Sequence, residues 1–93
     1  MATPPLYYYV YVVMSQKDRH FYVGSTCDLK RRIKQHLAGT VDSTKNRLPT
    51  SLVFYEAYLD KFDALRREDY FKTTKGKRTL RNMLKEYLRK LNS

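Results

Sequence analysis

The run Leu6–Met14 constrains the fold more than any other part of this chain. Its nine residues are all apolar or aromatic, and Tyr and Val dominate, a composition that favours an extended strand. A strand that is apolar on both faces belongs inside a sheet, covered on each side. The run is also much shorter than the roughly 20 residues that a membrane-spanning helix needs. We therefore predict a central strand in a soluble, cytoplasmic domain with no membrane partner.

Alternating strand and helix patterns follow this run. A polar connector leads to a second strand, His20–Val23, which predicts an antiparallel hairpin, and Gly24 is expected to end that strand. At such a position a glycine lets another group approach closely. Asp28 is placed to cap a helix over residues 29–38, and Gly39 is placed to end it.

The second half of the chain continues in the same manner. A third strand is predicted over residues 52–59, and a helix capped by Asp60 or Asp63 over residues 64–73. Gly76 is expected to separate this helix from a last one over residues 78–91. One arc of that last helix predicts core residues, namely Leu80, Met83, Leu84, Tyr87, Leu88 and Leu91.

The order β-β-α-β-α-α predicts an α/β fold of the mixed α+β kind. Its small three-stranded antiparallel sheet is flanked by helices. A chain of 93 residues has room for a single domain, spanning residues 1–93. The sole cysteine, Cys27, excludes an internal disulfide, and two histidines are too few to favour a zinc site.

The charge balance predicts a polyanionic partner. Nineteen Lys and Arg stand against nine Asp and Glu, for a net charge of +10. The cations concentrate in the first helix, the loop after it and the region around Gly76. We expect these residues to form a track for a nucleic-acid backbone: Lys30, Arg31, Lys34, Lys45, Asn46, Arg47, Lys72, Lys75, Lys77 and Arg78. A solvated basic surface without a specific ligand is the alternative.

The first helix has two kinds of face. Leu29, Ile33 and Leu37 share one stripe at the helical period, which predicts packing on the sheet. Arg32 and His36 are four residues apart and lie at one border of that stripe. The helix therefore holds Arg32 and His36 side by side at the edge of the core, whereas its other cations point to solvent.

Two further features point to chemistry. Glu68 projects into the buried arc of the second helix, where a carboxylate is costly unless it is paired or bound to a cation. A salt bridge to Arg32, Lys72 or another base is one interpretation, and a ligand for a hard divalent ion such as Mg²⁺ is the other. In the hairpin, strand alternation can bring Tyr11 and Tyr22 onto one face near the first helix.

Together these residues resemble the GIY-YIG nuclease superfamily. Tyr9-Val10-Tyr11 and Tyr22-Val23-Gly24 are similar to its two naming motifs, although Tyr9 stands in place of the first glycine. The remaining motifs follow in order, namely Asp28-Leu29-x-x-Arg32-x-x-x-His36, Gly39, Ser43-Thr44-Lys45-Asn46-Arg47-x-Pro49, Leu52-Val53-x-Tyr55-Glu56 and Ala64-Leu65-x-x-Glu68-x-x-x-Lys72. The chain is similar to the stand-alone, single-domain group related to the N-terminal nuclease module of the bacterial excision-repair nuclease, a DNA repair protein.

The resemblance implies a divalent-metal-dependent endonuclease that hydrolyses phosphodiester bonds in DNA, with Mg²⁺ or Mn²⁺ as cofactor. It assigns Tyr11 and Tyr22 to the motif tyrosines, one of which helps to deprotonate the attacking water. It places Arg32 on the scissile phosphate, His36 near the nucleophile and Glu68 on the metal. Arginine and metal would both answer the negative charge that develops on the phosphorus centre.

Several alternatives remain open at this point. The same fold and basic track would also suit a non-catalytic nucleic-acid-binding module, and charge alone would suit a structural RNA-binding protein. Single-stranded, structured and duplex DNA are all possible substrates, and RNA is not excluded. Specificity must come from the loop over residues 40–50, from the basic segment near Gly76 or from dimerisation, and we expect a monomer or a weak homodimer.

Overall fold

The computed structural model describes residues 6–92, which form one three-stranded sheet with helices on both faces. Its elements are β1 Tyr8–Ser15, β2 Phe21–Thr26, α1 Leu29–Leu37, β3 Thr50–Tyr58, α2 Lys61–Lys72, α3 Thr74–Met83 and α4 Lys85–Leu91. The mixed α+β fold class is confirmed. The final predicted helix is divided in two, so the order becomes β-β-α-β-α-α-α. Residues 1–5 and 93 lie outside the described part, and a single domain over residues 1–93 stays a prediction.

β1 is the central strand, as predicted. The strand order is β2-β1-β3, and both pairings are antiparallel. Every residue from Val10 to Ser15 is buried. The strand begins at Tyr8 rather than Leu6, which is 85% exposed. The register against β3 shifts between Val12 and Val13, and this irregularity increases the local twist of the central strand.

The main core lies between one face of the sheet and the helices that follow β3. Its buried members are Val10, Val12, Met14, Phe21, Ala64, Phe71 and Leu80. An ion pair between Arg67 and Glu56, with 2.9 Å between Nε and Oε1, ties α2 to β3 at the edge of this core. The other face of β1, which carries Tyr9 and Tyr11, is turned toward α1. Among residues 6–92, no helix is long and apolar enough to cross a membrane.

Side-chain caps fix where the helices begin. The Asp28 carboxylate accepts a hydrogen bond from the Arg31 amide at 3.2 Å, and Gly39 takes the left-handed conformation, with φ of 76°, just past the helix end. Asp60, not Asp63, caps α2, since its Oδ1 accepts from the Phe62 amide at 2.8 Å. The predicted start and stop of α1 are therefore confirmed, while α2 begins three residues earlier than predicted.

Three predicted core positions are wrong. Leu37 is 56% exposed, Met83 44% and Tyr87 40%. Leu37 points outward because α1 turns its neighbour His36 into the protein instead. Met83 and Tyr87 leave the buried side because the helical path is interrupted at Leu84, so one continuous arc does not extend over residues 78–91.

Gly76 does not separate two helices, as the sequence had suggested. It is buried in the first turn of α3, where the Thr73 side chain caps the helix by accepting from the Gly76 amide at 2.9 Å. A Cβ atom on Gly76 would lie 2.8 Å from the Phe71 Cα atom and closer still to the Tyr70 carbonyl. The glycine is therefore required because α2 and α3 meet backbone to backbone.

Candidate active site

A small cleft opens between β2, α1 and α2. Its volume is about 210 Å³, and it is lined by Tyr11, Tyr22, Val23, Gly24, Ser25, Arg32, His36, Ser43, Glu68 and Lys72. The five residues predicted as catalytic all reach this one cleft, although they come from β1, β2, α1 and α2. Of the residues predicted to contact nucleic acid, Lys72 alone belongs to this lining.

One side of the cleft is a chain of hydrogen bonds. Arg32 Nε donates to the Tyr11 hydroxyl at 3.1 Å, and that hydroxyl lies 2.9 Å from His36 Nε2. His36 Nδ1 lies 2.8 Å from the Thr44 hydroxyl. We call Tyr11, Arg32, His36 and Thr44 the tyrosine wall. It forms because Arg32 and His36 are one helical turn apart and face the same strand residue.

The direction of each hydrogen bond follows from what the arginine can do. A guanidinium only donates, so the Tyr11 oxygen accepts from Arg32 and its proton is directed to His36 Nε2. The network then assigns the imidazole proton to Nδ1, which donates to Thr44. Burial, helped by the positive charge of Arg32, lowers the pKa of His36 below 6.5 and keeps the ring neutral at neutral pH.

Gly24 provides the space for the Tyr11 ring. The two residues are directly opposed in the β1–β2 register, and a Cβ atom on Gly24 would lie 2.6 Å from Tyr11 Cζ. The close approach predicted at Gly24 is therefore made by a side chain of the same sheet. The predicted end of the strand at Gly24 is wrong, since β2 continues to Thr26 because the pairing with β1 continues beyond the glycine.

The two motif tyrosines have different environments. Tyr22 shares a sheet face with Tyr11, as predicted, because Tyr22 pairs with Val13, two residues from Tyr11 along β1. Both residues line the cleft. Whereas the Tyr11 hydroxyl has two partners, the Tyr22 hydroxyl makes no hydrogen bond within residues 6–92. Tyr22 is therefore open to a ligand, and Tyr11 is held in place.

The opposite side of the cleft carries the carboxylate. Ser25 Oγ donates to Glu68 Oε1 at 2.8 Å, and Lys72 Nζ lies 3.0 Å from Glu68 Oε2. The Glu68 side chain is only 14% exposed. We call Ser25, Glu68 and Lys72 the carboxylate wall. The ion pair considered from the sequence therefore forms with Lys72, and within the described residues none forms between Glu68 and Arg32.

The donor set fits a hard divalent ion and not a zinc centre. No group of three or more His, Cys, Asp or Glu residues converges anywhere within residues 6–92. Glu68 would thus be the single charged protein ligand. Mg²⁺ is commonly bound through one or two carboxylates, while water and substrate phosphate complete its shell. A metal at Glu68 would have to compete with the Lys72 ammonium for Oε2.

The predicted nucleic-acid contacts divide into separate groups. Lys30 and Lys34 line a second groove beside α1, and Lys77 lines a pocket that also includes Tyr22. Lys45 and Arg47 are partly neutralised, since Asp42 lies 3.5 Å from the first and Asp18 lies 3.7 Å from the second. The remaining members are exposed on the surface, namely Arg31, Asn46, Lys75 and Arg78.

Two members of the site were not predicted from the sequence. Thr44 is fully buried although it lies in a turn-rich loop, and Ser25 had no signal beyond its place after Gly24. Their roles depend on partners 8 and 43 residues away, respectively, which no local periodicity can reveal. The motif Ser43-Thr44-Lys45-Asn46-Arg47 did mark the loop, but not the residue within it that faces inward.

Comparisons with known proteins agree with this geometry. The sequence profile of the GIY-YIG catalytic domain matches residues 7–82. A UPF0213 protein of Lacticaseibacillus paracasei is 42% identical over 73 residues, which cover 77% of this chain and 79% of the relative. A UPF0213 protein of Streptococcus pyogenes serotype M5 is 40% identical over 76 residues, covering 81% and 79%. The solution NMR structure of a UPF0213 protein of Bacillus halodurans superposes with a TM-score of 0.53 at 35% identity, covering 83% of this chain and 84% of that one.

Proposed function

Because the chain belongs to the GIY-YIG nuclease family, we propose that it is a metal-dependent endonuclease that hydrolyses phosphodiester bonds in DNA. One observation carries the proposal. An arginine, a polarised phenol and a half-sequestered carboxylate line a single cleft of about 210 Å³, a space smaller than most small-molecule pockets. Such a space suits one phosphate group and its attacking water better than a whole nucleotide.

Arg32 is held in a fixed orientation for phosphate binding. Its Nε donates to Tyr11, and its Nη1 donates to Gln35 Oε1 at 3.0 Å. These two bonds fix the plane of the guanidinium, and Nη2 is left to donate to a phosphate oxygen. A donor fixed in advance stabilises the charge of the transition state without the cost of reorganising.

Tyr11 is better placed than Tyr22 to accept a proton from the attacking water. A phenol with an ordinary pKa near 10 is a poor base unless it can pass its own proton on. Tyr11 has such an acceptor in neutral His36, whose Nε2 lies 2.9 Å from the hydroxyl. As water loses a proton to the Tyr11 oxygen, the Tyr11 proton moves to His36, and the imidazolium keeps its Nδ1 hydrogen bond to Thr44.

Glu68 would hold the divalent ion. When bound, Mg²⁺ or Mn²⁺ supplies positive charge to the scissile phosphate and to the leaving oxygen. Ser25 keeps one carboxylate oxygen oriented through its 2.8 Å hydrogen bond. Lys72 lies where its ammonium can move from Glu68 to a phosphate of the bound nucleic acid once the metal takes its place.

A cleavage panel tests the proposal. The purified protein is incubated with labelled single-stranded DNA, duplex, flap and RNA substrates in Mg²⁺, in Mn²⁺ and in EDTA. We expect metal-dependent cleavage of DNA that falls by about a thousandfold in Glu68→Ala, because the lost charge acts mainly in the transition state. Glu86→Ala is the matched control, since Glu86 is an exposed acid on α4.

The same panel separates the catalytic proposal from a binding module. Salt-sensitive DNA binding without cleavage in either metal, equal in the wild type and in Glu68→Ala, would contradict the nuclease assignment. That result would favour the non-catalytic nucleic-acid-binding module instead. Cleavage that persists in EDTA would contradict the metal dependence.

A further inference from the structure

A second groove runs beside the candidate active site, and the proposed reaction does not use it. It lies between α1 and the sheet face that carries Tyr9, and its volume is about 570 Å³. Apolar and aromatic side chains make up much of its lining, including Tyr9, Ile33 and Leu52. A contiguous apolar surface of this kind on a small basic protein indicates a binding site.

Tyrosine rings extend this surface along the sheet. The Tyr9 ring lies 6.4 Å from the Tyr7 ring and 6.0 Å from the Tyr55 ring, as measured between ring centres. Tyr55 is 53% exposed and Tyr7 39% exposed, so both leave much of their ring surface open to solvent. Within residues 6–92 none of the three hydroxyls makes a hydrogen bond. We call Tyr7, Tyr9 and Tyr55 the tyrosine row.

The rim of the groove is cationic. Lys30 and Lys34 on α1 line it and are exposed to solvent. The one acid in the lining is Asp28, whose carboxylate already accepts the hydrogen bond that caps α1. Aromatic surface beside uncompensated lysines matches a ligand that has flat apolar rings and a negatively charged backbone.

We propose that the tyrosine row and the lysines of α1 bind a single-stranded nucleic acid, whose bases stack on the tyrosines and whose phosphates lie along Lys30 and Lys34. Bases in a duplex are already stacked on one another, so an exposed row of tyrosines favours an unpaired strand. The inference rests on the proposed function, since it gives the nuclease a class of substrate.

The row is also placed to deliver that strand to the cleft. Tyr9 and Tyr11 occupy the same face of β1 two residues apart, a spacing of about 6.6 Å along a strand. A chain stacked on Tyr9 therefore continues directly toward Arg32 and Glu68. Exposed aromatic residues elsewhere do not have this relation to the cleft, because Tyr87 lies on α4 and Phe62 on α2.

Binding in EDTA, where no metal-dependent cleavage occurs, tests the proposal. Fluorescence anisotropy is measured with labelled oligo-dT, with an RNA of the same length and with a DNA duplex. We expect Tyr55→Ala to weaken single-strand binding about tenfold while duplex binding changes less than twofold or so. Tyr55→Phe keeps a stacking face and is expected to bind like the wild type, and Tyr87→Ala is the matched control. The RNA arm distinguishes between the two sources of an unpaired strand.

A spectroscopic measurement reports on stacking directly. The chain contains no tryptophan, so Tyr55→Trp introduces a single fluorophore into the row. We expect its emission to be quenched when an unpaired strand binds, whereas the emission of Tyr87→Trp stays unchanged. This readout does not depend on cleavage, so the inference can fail while the nuclease activity is found, and the reverse.

Three results would overturn the proposal. The first is wild-type affinity of Tyr55→Ala for the single strand. The second is an equal loss of affinity for single strand and duplex. The third is a change in self-association of Tyr55→Ala, measured by sedimentation, without a change in single-strand binding. The last result would assign the tyrosine row to a contact between two copies of the chain.

Discussion

The tyrosine wall and the carboxylate wall face the same cleft but are held together in different ways. The first is a chain of hydrogen bonds that ends on two buried residues, His36 at 3% exposure and Thr44 at 0%. The second is an ion pair with Lys72, whose side chain is 54% exposed. A buried hydrogen-bonded network resists rearrangement, whereas an exposed ion pair is weak and exchanges readily.

This difference indicates which half of the site is fixed and which half responds to ligands. The tyrosine wall has its geometry before any substrate arrives, because every bond in it is internal to the protein. The carboxylate wall has a lysine where a metal would bind, so its charge distribution changes when metal and phosphate enter. Perturbations of the first wall should change the catalytic rate, and those of the second should change the metal requirement.

The largest effect is expected from protonating His36. Its pKa is lowered from 6.5 by burial and by Arg32, so the ring is neutral above pH 6.5 and gains its proton only below that value. Once protonated, Nε2 no longer accepts the Tyr11 proton, and we expect cleavage to fall about tenfold per pH unit below the folded-state pKa. Rates measured from pH 8 to pH 4.5 check this, and His36→Gln is expected to lose the acid limb from an already lower plateau.

The same titration has a consequence for stability. A depressed pKa in the folded state means that the unfolded chain binds the proton more tightly. The contribution of His36 to the free energy of unfolding is therefore complete above pH 6.5 and is lost as pH falls through the folded-state pKa. Urea unfolding of the wild type and of His36→Gln at each pH isolates this contribution, and parallel pH profiles of the two proteins would contradict it.

A smaller effect is expected from Thr44→Val. The substitution keeps the volume of the side chain but removes the oxygen that lies 2.8 Å from His36 Nδ1. A buried donor left without a partner costs about 1–3 kcal/mol, and the imidazole is no longer fixed in one tautomer. We expect the free energy of unfolding to fall by about 1–2 kcal/mol and the cleavage rate by about tenfold, with little change in DNA affinity.

Thr44→Ser distinguishes positioning from packing. It restores the hydroxyl but removes a methyl group, so we expect most of the cleavage rate to return while some stability is still lost. If Thr44→Ser cleaves as slowly as Thr44→Val, the hydrogen bond to His36 does not matter, and the tyrosine wall has to end at His36.

The smallest effect is expected from Lys72→Met, which tests the carboxylate wall. Removing the ammonium that lies 3.0 Å from Glu68 Oε2 takes away a competitor for the metal. Because the pair is exposed, the gain is modest, and we expect the Mg²⁺ concentration for half-maximal cleavage to fall about two- to fivefold. Lys75→Met on α3 is the control, and an unchanged or increased Mg²⁺ requirement in Lys72→Met would refute the competition.

Features that depend on neighbours in sequence were predicted well. The central position of β1 followed from its continuous apolar run, and the limits of α1 from the capping residues Asp28 and Gly39. The shared face of Tyr11 and Tyr22 followed from hairpin alternation. In each case the interaction that decides the structure lies within a few residues or one turn, where periodicity and capping act.

Features set by distant contacts were predicted poorly or only by resemblance. Glu68 was identified as a candidate from its place on an apolar face, but its choice of Ser25 and Lys72 as partners depends on how α2 crosses β2. Leu37 was assigned to the core because helical periodicity cannot tell that His36 is the residue buried against Tyr11. Thr44 had no periodic pattern at all.

Gly24 gives the family motif a meaning that differs from backbone flexibility. In the described chain only Gly39 among the glycines has a positive φ, so Gly24 does not need an unusual conformation. What it supplies is an absence of volume, into which the Tyr11 ring fits with its hydroxyl between Arg32 and His36. The tyrosine of one motif and the glycine of the other are thus a shape and its mould. They form one inherited unit, in which neither residue can drift in size without the other.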